Sequence, residues 1–226
     1  MNGAPAGDGD VAGAPGIRLD LGAGKLVEAP FQHVVFGAGT LLSARLHDEL
    51  LGTFPSDGVL RGSRRVAGGD KTYQVRMATL YLRGGWSPAL AAMAEAWRLL
   101  ARHLVDSDYR YELAGLLGLG RPRIELELRL TEYASGGWMS RHTDRPDKLF
   151  SQNIYFCPQW NEQWGGGLAL YAGEHEAEPA STFMPGAGTS LAFARTDRSW
   201  HEVLPVSAGR HPPRRALLVH GYRSAD

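Results

Sequence analysis

Seven consecutive residues, Ile124-Glu125-Leu126-Glu127-Leu128-Arg129-Leu130, alternate apolar and polar side chains without a break. That period of two marks a strand with one buried face. Short apolar runs divided by turn residues follow at 152–157, 167–171, 190–194, 200–206 and 214–222, and several short strands at such spacing predict an all-β sandwich or barrel. Upstream the period is helical. Leu42, Leu46 and Leu50 share one side of a helix predicted over Leu41–Leu51, which Gly52 and Pro55 end. Ser87-Pro88 supplies an N-cap and a first-turn proline, and Leu90, Met93, Trp97, Leu100 and Leu104 continue at helical spacing. This stripe reads as core packed against the outside of a sheet rather than as a cofactor box. Residues 33–36 suggest a short strand, and the Gly-, Ser- and Arg-rich stretch 56–70 a loop or lid. The predicted class is mainly β with supporting helices.

Composition refines this picture. The Gly-, Ala-, Pro- and Asp-rich residues 1–16 lack the apolar content to offset ordering entropy and are expected to form a disordered tail. The remainder, 17–226, is expected to be one domain, with helical support over 40–120 and a β-core over 121–223. No internal repeat or linker divides it. Lys plus Arg (24) equals Asp plus Glu (24), so no bulk charge points to nucleic acid or an anionic membrane. The single cysteine, Cys157, excludes an intrachain disulfide framework and a Cys-based zinc site. No run is long and apolar enough for a helical membrane span, and no secretory signal pattern is visible, so a cytoplasmic location is expected.

Candidate chemistry concentrates in the β-half. His142 and Asp144 stand two residues apart, the spacing that puts both side chains on one face of a strand. His201 follows from a later strand. Two imidazoles and a carboxylate form the facial triad of non-haem Fe(II) oxygenases. A basic pair, Arg214-Arg215, opens the next strand, where a guanidinium could hold the far carboxylate of a chelating oxo-acid. His33, His47, His103, His175 and His211 have no partner at ligand spacing and read as surface or packing residues. His220 shares strand parity with Arg214 and could face the same cavity.

Taken in order, Tyr133-Ala-Ser-Gly-Gly, His142-Thr-Asp144, Asn153-Ile-Tyr-Phe-Cys-Pro-Gln-Trp160, Gly165-Gly-Gly-Leu168-Ala-Leu170-Tyr171, His201-Glu-Val-Leu-Pro and Arg214-Arg-Ala-Leu resemble the Fe(II)/2-oxoglutarate-dependent dioxygenases of the prolyl-4-hydroxylase-like branch. The resemblance covers about ninety residues and implies a double-stranded β-helix, a jelly-roll core of cupin-like form. It implies Fe(II) held by His142, Asp144 and His201, with 2-oxoglutarate and O2 as co-substrates. Arg214 is implied as the partner of the C5 carboxylate, and Arg215 would then face the opposite way. Tyr133, Phe156 and Leu168 are implied as further co-substrate contacts. In the favoured register Phe156 faces inward and Tyr155 outward, so a tyrosine hydroxyl common among relatives would be missing there.

The implied reaction is hydroxylation of an unactivated C–H bond, with release of succinate and CO2. Desaturation or ring formation would use the same triad. A rim containing Arg61, Arg64, Arg65, Arg76, Trp138, Arg145 and Lys148 suits a substrate bearing a carboxylate. The expected substrate is a small molecule such as an amino acid, in natural-product biosynthesis, with neither nucleic acid nor membrane as partner. Monomer and homodimer are left open. The alternatives are a prolyl or peptidyl hydroxylase acting on a peptide or carrier-bound substrate, a non-catalytic metal-binding module, and a zinc hydrolase.

Overall fold

The computed structural model describes residues 17–55 and 58–224; the tail predicted over 1–16 lies outside them. In chain order the elements are β1 (Lys25–Val27), β2 (His33–Phe36), α1 (Ala44–Gly52), β3 (Arg61–Arg65), β4 (Tyr73–Leu82), β5 (Gly85–Trp86), α2 (Pro88–Ala91), α3 (Glu95–Asp106) and α4 (Tyr109–Leu116). They continue with β6 (Ile124–Tyr133), β7 (Trp138–His142), β8 (Lys148–Tyr155), β9 (Leu168–Tyr171), β10 (Ser181–Phe183), β11 (Ser190–Ala194), β12 (Trp200–Val203) and β13 (Arg214–Arg223). All pairings between these strands are antiparallel, in the order β1-β2-β11-β8-β13-β6-β4-β7-β12-β9-β10, with β3 and β5 attached to β4. The sheet curls on itself as a double-stranded β-helix, with helices on one outer face.

The central pair is β6–β13, matched from Arg214 opposite Tyr133 to Arg223 opposite Ile124. Its alternation sorts two environments. Leu126, Leu128 and Leu130 of β6, with Leu217 and Val219 of β13, turn outward to meet Trp97, Leu100 and Leu104 of α3. Trp97 anchors that layer. Its indole N–H donates to the Leu50 carbonyl at 3.2 Å, and its ring packs edge-on against Phe54 and Phe156. The inner layer, Tyr133, Leu168, Leu170, Leu191, Phe193, Val203 and Val206, fills the curl and floors the site.

Three local expectations are corrected. Residues 61–65, predicted as loop or lid, form β3 and extend β4 as a hairpin. β4 itself was not legible as a strand, because a bulge between Thr79 and Tyr81 breaks its alternation. The helix starting at Pro88 is two helices. Ala94 takes an extended conformation (ψ 155°) and caps α3, while Leu90, Met93 and Trp97 keep a spacing that hides the break. α1 begins where Ser43 Oγ accepts from the Leu46 N–H at 3.3 Å. No helix of the described residues is long and apolar enough to cross a membrane.

Candidate active site

β7 and β12 pair so that His142 lies directly opposite His201, and the ring centroids stand 4.4 Å apart. Asp144 sits beyond the end of β7, in the turn leading to β8. The expectation that His142 and Asp144 share one strand face is thus corrected: the turn, not strand parity, delivers the carboxylate. One potential ligand atom from each of the three residues lies within 4.8 Å of the others, and all three side chains are buried. The two imidazoles are oriented alike. His142 Nδ1 donates to the Ser140 carbonyl at 2.8 Å and His201 Nδ1 to the Ser199 carbonyl at 2.9 Å. A proton fixed on Nδ1 leaves the Nε2 lone pair as the ligand atom. Two neutral imidazoles and one carboxylate fit a divalent iron centre.

The electrostatics agree with that use. Burial, and then His201 beside it, hold His142 well below the ordinary histidine range. Burial likewise lowers His201. Both rings are therefore neutral, as metal ligation requires. Burial alone would raise the Asp144 carboxyl, but Lys148 and the surrounding histidines hold it well below the usual carboxylate range. Lys148 Nζ donates to Oδ1 at 2.7 Å and Ser151 Oγ to Oδ2 at 2.6 Å.

Arg214 lies behind Tyr133 and is fully buried. Its Nε donates to the Gly166 carbonyl at 2.7 Å and its Nη2 to the Tyr155 hydroxyl at 3.2 Å. The guanidinium packs over the rings of Tyr133 and Tyr155, 5.0 and 4.9 Å from their centroids. Among the described residues no carboxylate pairs with it. A buried charge without a counter-ion is costly, so this end of the site is built for an anion. Arg215 faces the other way, paired with Glu132 at 2.9 Å and lying over Phe54.

The expected roles of Phe156 and Tyr155 are reversed. On β8 the odd positions Ser151 and Asn153 line the cavity, so the period of two carries Tyr155 to the same side. Phe156 belongs to the outer layer, against Trp97 and stacked on His47. Tyr155, expected to face outward, instead brings its hydroxyl to within 3.2 Å of Arg214 Nη2. Tyr133 and Leu168 line the cavity as expected. Burial pushes the Tyr133 phenol up to about 12, which keeps it neutral.

The cavity measures ≈ 360 Å³ and holds the triad. Its far wall is the polar face of β6, with the facing residues of β13. Glu127 accepts from His220 Nδ1 at 3.1 Å, from the Tyr222 hydroxyl at 2.8 Å and from Arg129. Burial alone would raise Glu127, but His220, Arg129 and Tyr222 hold it near 2. Burial, then Lys148, lowers His220 to about 4. With Nδ1 committed to Glu127, His220 Nε2 is left as an acceptor. Lys71, within the 56–86 stretch expected at the rim but not among the side chains singled out there, lines this cavity, as do Arg65, Arg145 and Lys148 of those that were. Arg76 instead pairs with Glu132 at 2.7 Å on the outer face. Of the remaining histidines, His33 and His47 are buried packing residues and His175 is exposed.

Residues 128–220 match the family model of the 2OG-Fe(II) oxygenase superfamily. The fold is shared with a prolyl-4-hydroxylase from Pseudomonas putida (22% identity, TM-score 0.58, 85% of this chain and 93% of that one). It is shared with an oxidoreductase of the 2OG-Fe(II) oxygenase family from Burkholderia pseudomallei (18%, TM-score 0.59, 85% of both chains). A third similar structure is a prolyl hydroxylase from Trichoplax adhaerens in complex with a hypoxia inducible factor oxygen degradation domain peptide fragment (22%, TM-score 0.59, 84% and 83%). No curated protein matches the chain by sequence.

Proposed function

Because residues 128–220 match the family model of the 2OG-Fe(II) oxygenase superfamily, whose enzymes use Fe(II), 2-oxoglutarate and O2, we propose that this chain hydroxylates an unactivated C–H bond of an amino acid or other small metabolite. The observation that carries the reading is the pairing of two features in one curled sheet. A buried His142-Asp144-His201 cluster lines the cavity, and a fully buried Arg214 without a carboxylate partner among the described residues packs over Tyr133, which lines the same cavity.

His142, Asp144 and His201 would hold the metal, which when bound supplies oxidative decarboxylation of 2-oxoglutarate coupled to C–H oxidation. The chain's own residues do the rest. Arg214 and the Tyr155 hydroxyl take the C5 carboxylate as charge-assisted hydrogen-bond donors. Tyr133 and Leu168 cover the co-substrate and exclude water from it. The Ser140 and Ser199 carbonyls fix the histidine tautomers, and Ser151 orients Asp144, whose charge Lys148 balances while no metal is bound. The reading of the chain from residue 17 onward as one domain is supported over the described residues, where β2 pairs with β11 of the β-core and the helices cover its outer face.

A peptide substrate is the second reading, favoured by the peptide fragment in the Trichoplax adhaerens complex. The test of the shared chemistry is anaerobic: Fe(II) and then 2-oxoglutarate are added to metal-free protein while the visible spectrum is recorded. A weak charge-transfer band that needs both additions and vanishes in Arg214→Ala supports the reading. Absence of the band, with iron binding excluded independently, overturns it.

A further inference from the structure

Lys71 precedes β4 and lines the cavity that holds His142, Asp144 and His201. The carboxylates around it are already satisfied. Asp144 takes Lys148 on one oxygen and Ser151 on the other. Glu127 takes Arg129, His220 and Tyr222. Asp70 lies 3.6 Å from Arg65. Arg145 turns away to Asp147 at 3.1 Å. The Lys71 ammonium has no ion pair or hydrogen bond among the described residues. A bound divalent metal and dianionic 2-oxoglutarate would cancel one another, so this positive charge would persist in the loaded site.

From this arrangement, and resting on the function proposed above, we infer that Lys71 anchors a carboxylate of the primary substrate, which makes that substrate a free acid rather than a neutral peptide segment. The chemistry is specific. A partly buried ammonium in a confined cavity gains most from an anion that replaces its lost water. Burial also lowers the Lys71 ammonium from its ordinary value, the direction expected of a cation waiting for a partner. In the same cavity, His220 keeps its Nε2 as an acceptor, since its Nδ1 is committed to Glu127, and can receive an N–H or O–H from the same molecule. A free amino acid carries both groups.

The test uses the full chain with Fe(II), 2-oxoglutarate and O2. Succinate release is measured alone, then with a panel of free L-amino acids, with the matching primary amides, and with an end-blocked proline-containing peptide. Release without a third compound reports the oxygenase reading itself; its complete absence under all conditions sinks that reading and the anchor with it. Stimulation by one or more acids, and by neither amides nor peptide, supports the assignment. The KM for the stimulating acid should then rise at least about tenfold in Lys71→Met and recover in Lys71→Arg. The preference for acid over amide should fall in Lys71→Met, which a general loss of packing would not cause. Equal stimulation by acid and amide, stimulation by the blocked peptide alone, stimulation by no compound despite basal release, or an unchanged KM in a folded Lys71→Met protein overturns it.

Discussion

Arg214 Nη2 donates to the Tyr155 hydroxyl at 3.2 Å, across strands β13 and β8. This contact holds the guanidinium from one side while the Gly166 carbonyl holds it from another, so its remaining donors are aimed rather than mobile. Removing the hydroxyl in Tyr155→Phe should weaken 2-oxoglutarate by roughly ten- to a hundredfold, the scale of one hydrogen bond to a charged group. Arg214→Ala should weaken it at least about thirtyfold, since the carboxylate loses its ionic partner. Phe156→Leu should leave 2-oxoglutarate affinity alone and cost about 1 kcal/mol of stability through its packing with Trp97. Titration of the three variants, with thermal unfolding alongside, checks the set. A Phe156→Leu protein that lost co-substrate affinity while Tyr155→Phe kept it would restore the original register.

Lys148 and Asp144 form a buried pair in which the ammonium takes an oxygen of a candidate metal ligand. In the metal-free protein Lys148→Met should cost about 3 kcal/mol, because it strands a buried carboxylate. A divalent ion would then replace the missing positive charge. The rise in unfolding temperature on adding Mn(II) or Zn(II) should therefore be larger in Lys148→Met than in the unaltered chain. An equal or smaller rise would show that Lys148 orients Asp144 for the metal rather than competing with it.

The triad was legible from its residue types alone, its carboxylate coming from the turn after β7. The fold class and the inward turn of Arg214 were legible because both rest on short-range parity along a strand. The misreadings have the same origin. Ile124–Leu130 alternates as expected, but its polar residues Glu127 and Arg129 line the cavity of the site, Glu127 buried and Arg129 partly exposed. Sequence period reports two faces without saying which is inside, and α3 takes the apolar face of β6 while the site takes the polar one. On β8 the polar series Ser151, Asn153, Tyr155 was the available signal for Tyr155, and the aromatic character of Phe156 obscured it. Lys71 lay within the 56–86 stretch expected at the rim, but nothing in the sequence singled it out from the other residues there. Its place in the wall depends on the β3–β4 hairpin, whose long-range pairing with β6 and β7 no local pattern encodes.

Acid should destabilise the metal-free protein in two stages. His220 in the fold is lowered to about 4 from an ordinary 6.5, so the unfolded chain binds its proton first as pH falls. Stability is then lost between about pH 6.5 and 4, by at most about 3 kcal/mol for this group. Glu127, held near 2 against an ordinary 4.5, stays ionised in the fold, and its contribution disappears between about pH 4.5 and 2. Unfolding midpoints from pH 7 to 3 should show both slopes; His142 and His201, also lowered by burial, add to the upper one, so His220→Gln should reduce it by the share of His220 without removing it. If that variant keeps the full slope above pH 4.5, His220 is not among the groups responsible.

Gly166 connects the backbone to the co-substrate end. Its φ of +70° suits glycine, and a Cβ there would stand 3.1 Å from Val206 Cγ2 and 3.4 Å from Arg214 Cδ. Gly166→Ala therefore combines left-handed strain of about 1–2 kcal/mol with pressure on the guanidinium whose Nε its carbonyl receives. The expected result is a lowered unfolding temperature together with weaker 2-oxoglutarate binding, while binding of Mn(II) alone stays unchanged, since the triad residues lie on β7, β12 and the turn after β7. Loss of Mn(II) binding in parallel with 2-oxoglutarate would mean that the two ends of the site are coupled through β9 and β12, which pair along their length, and that Arg214 cannot be displaced without moving His201.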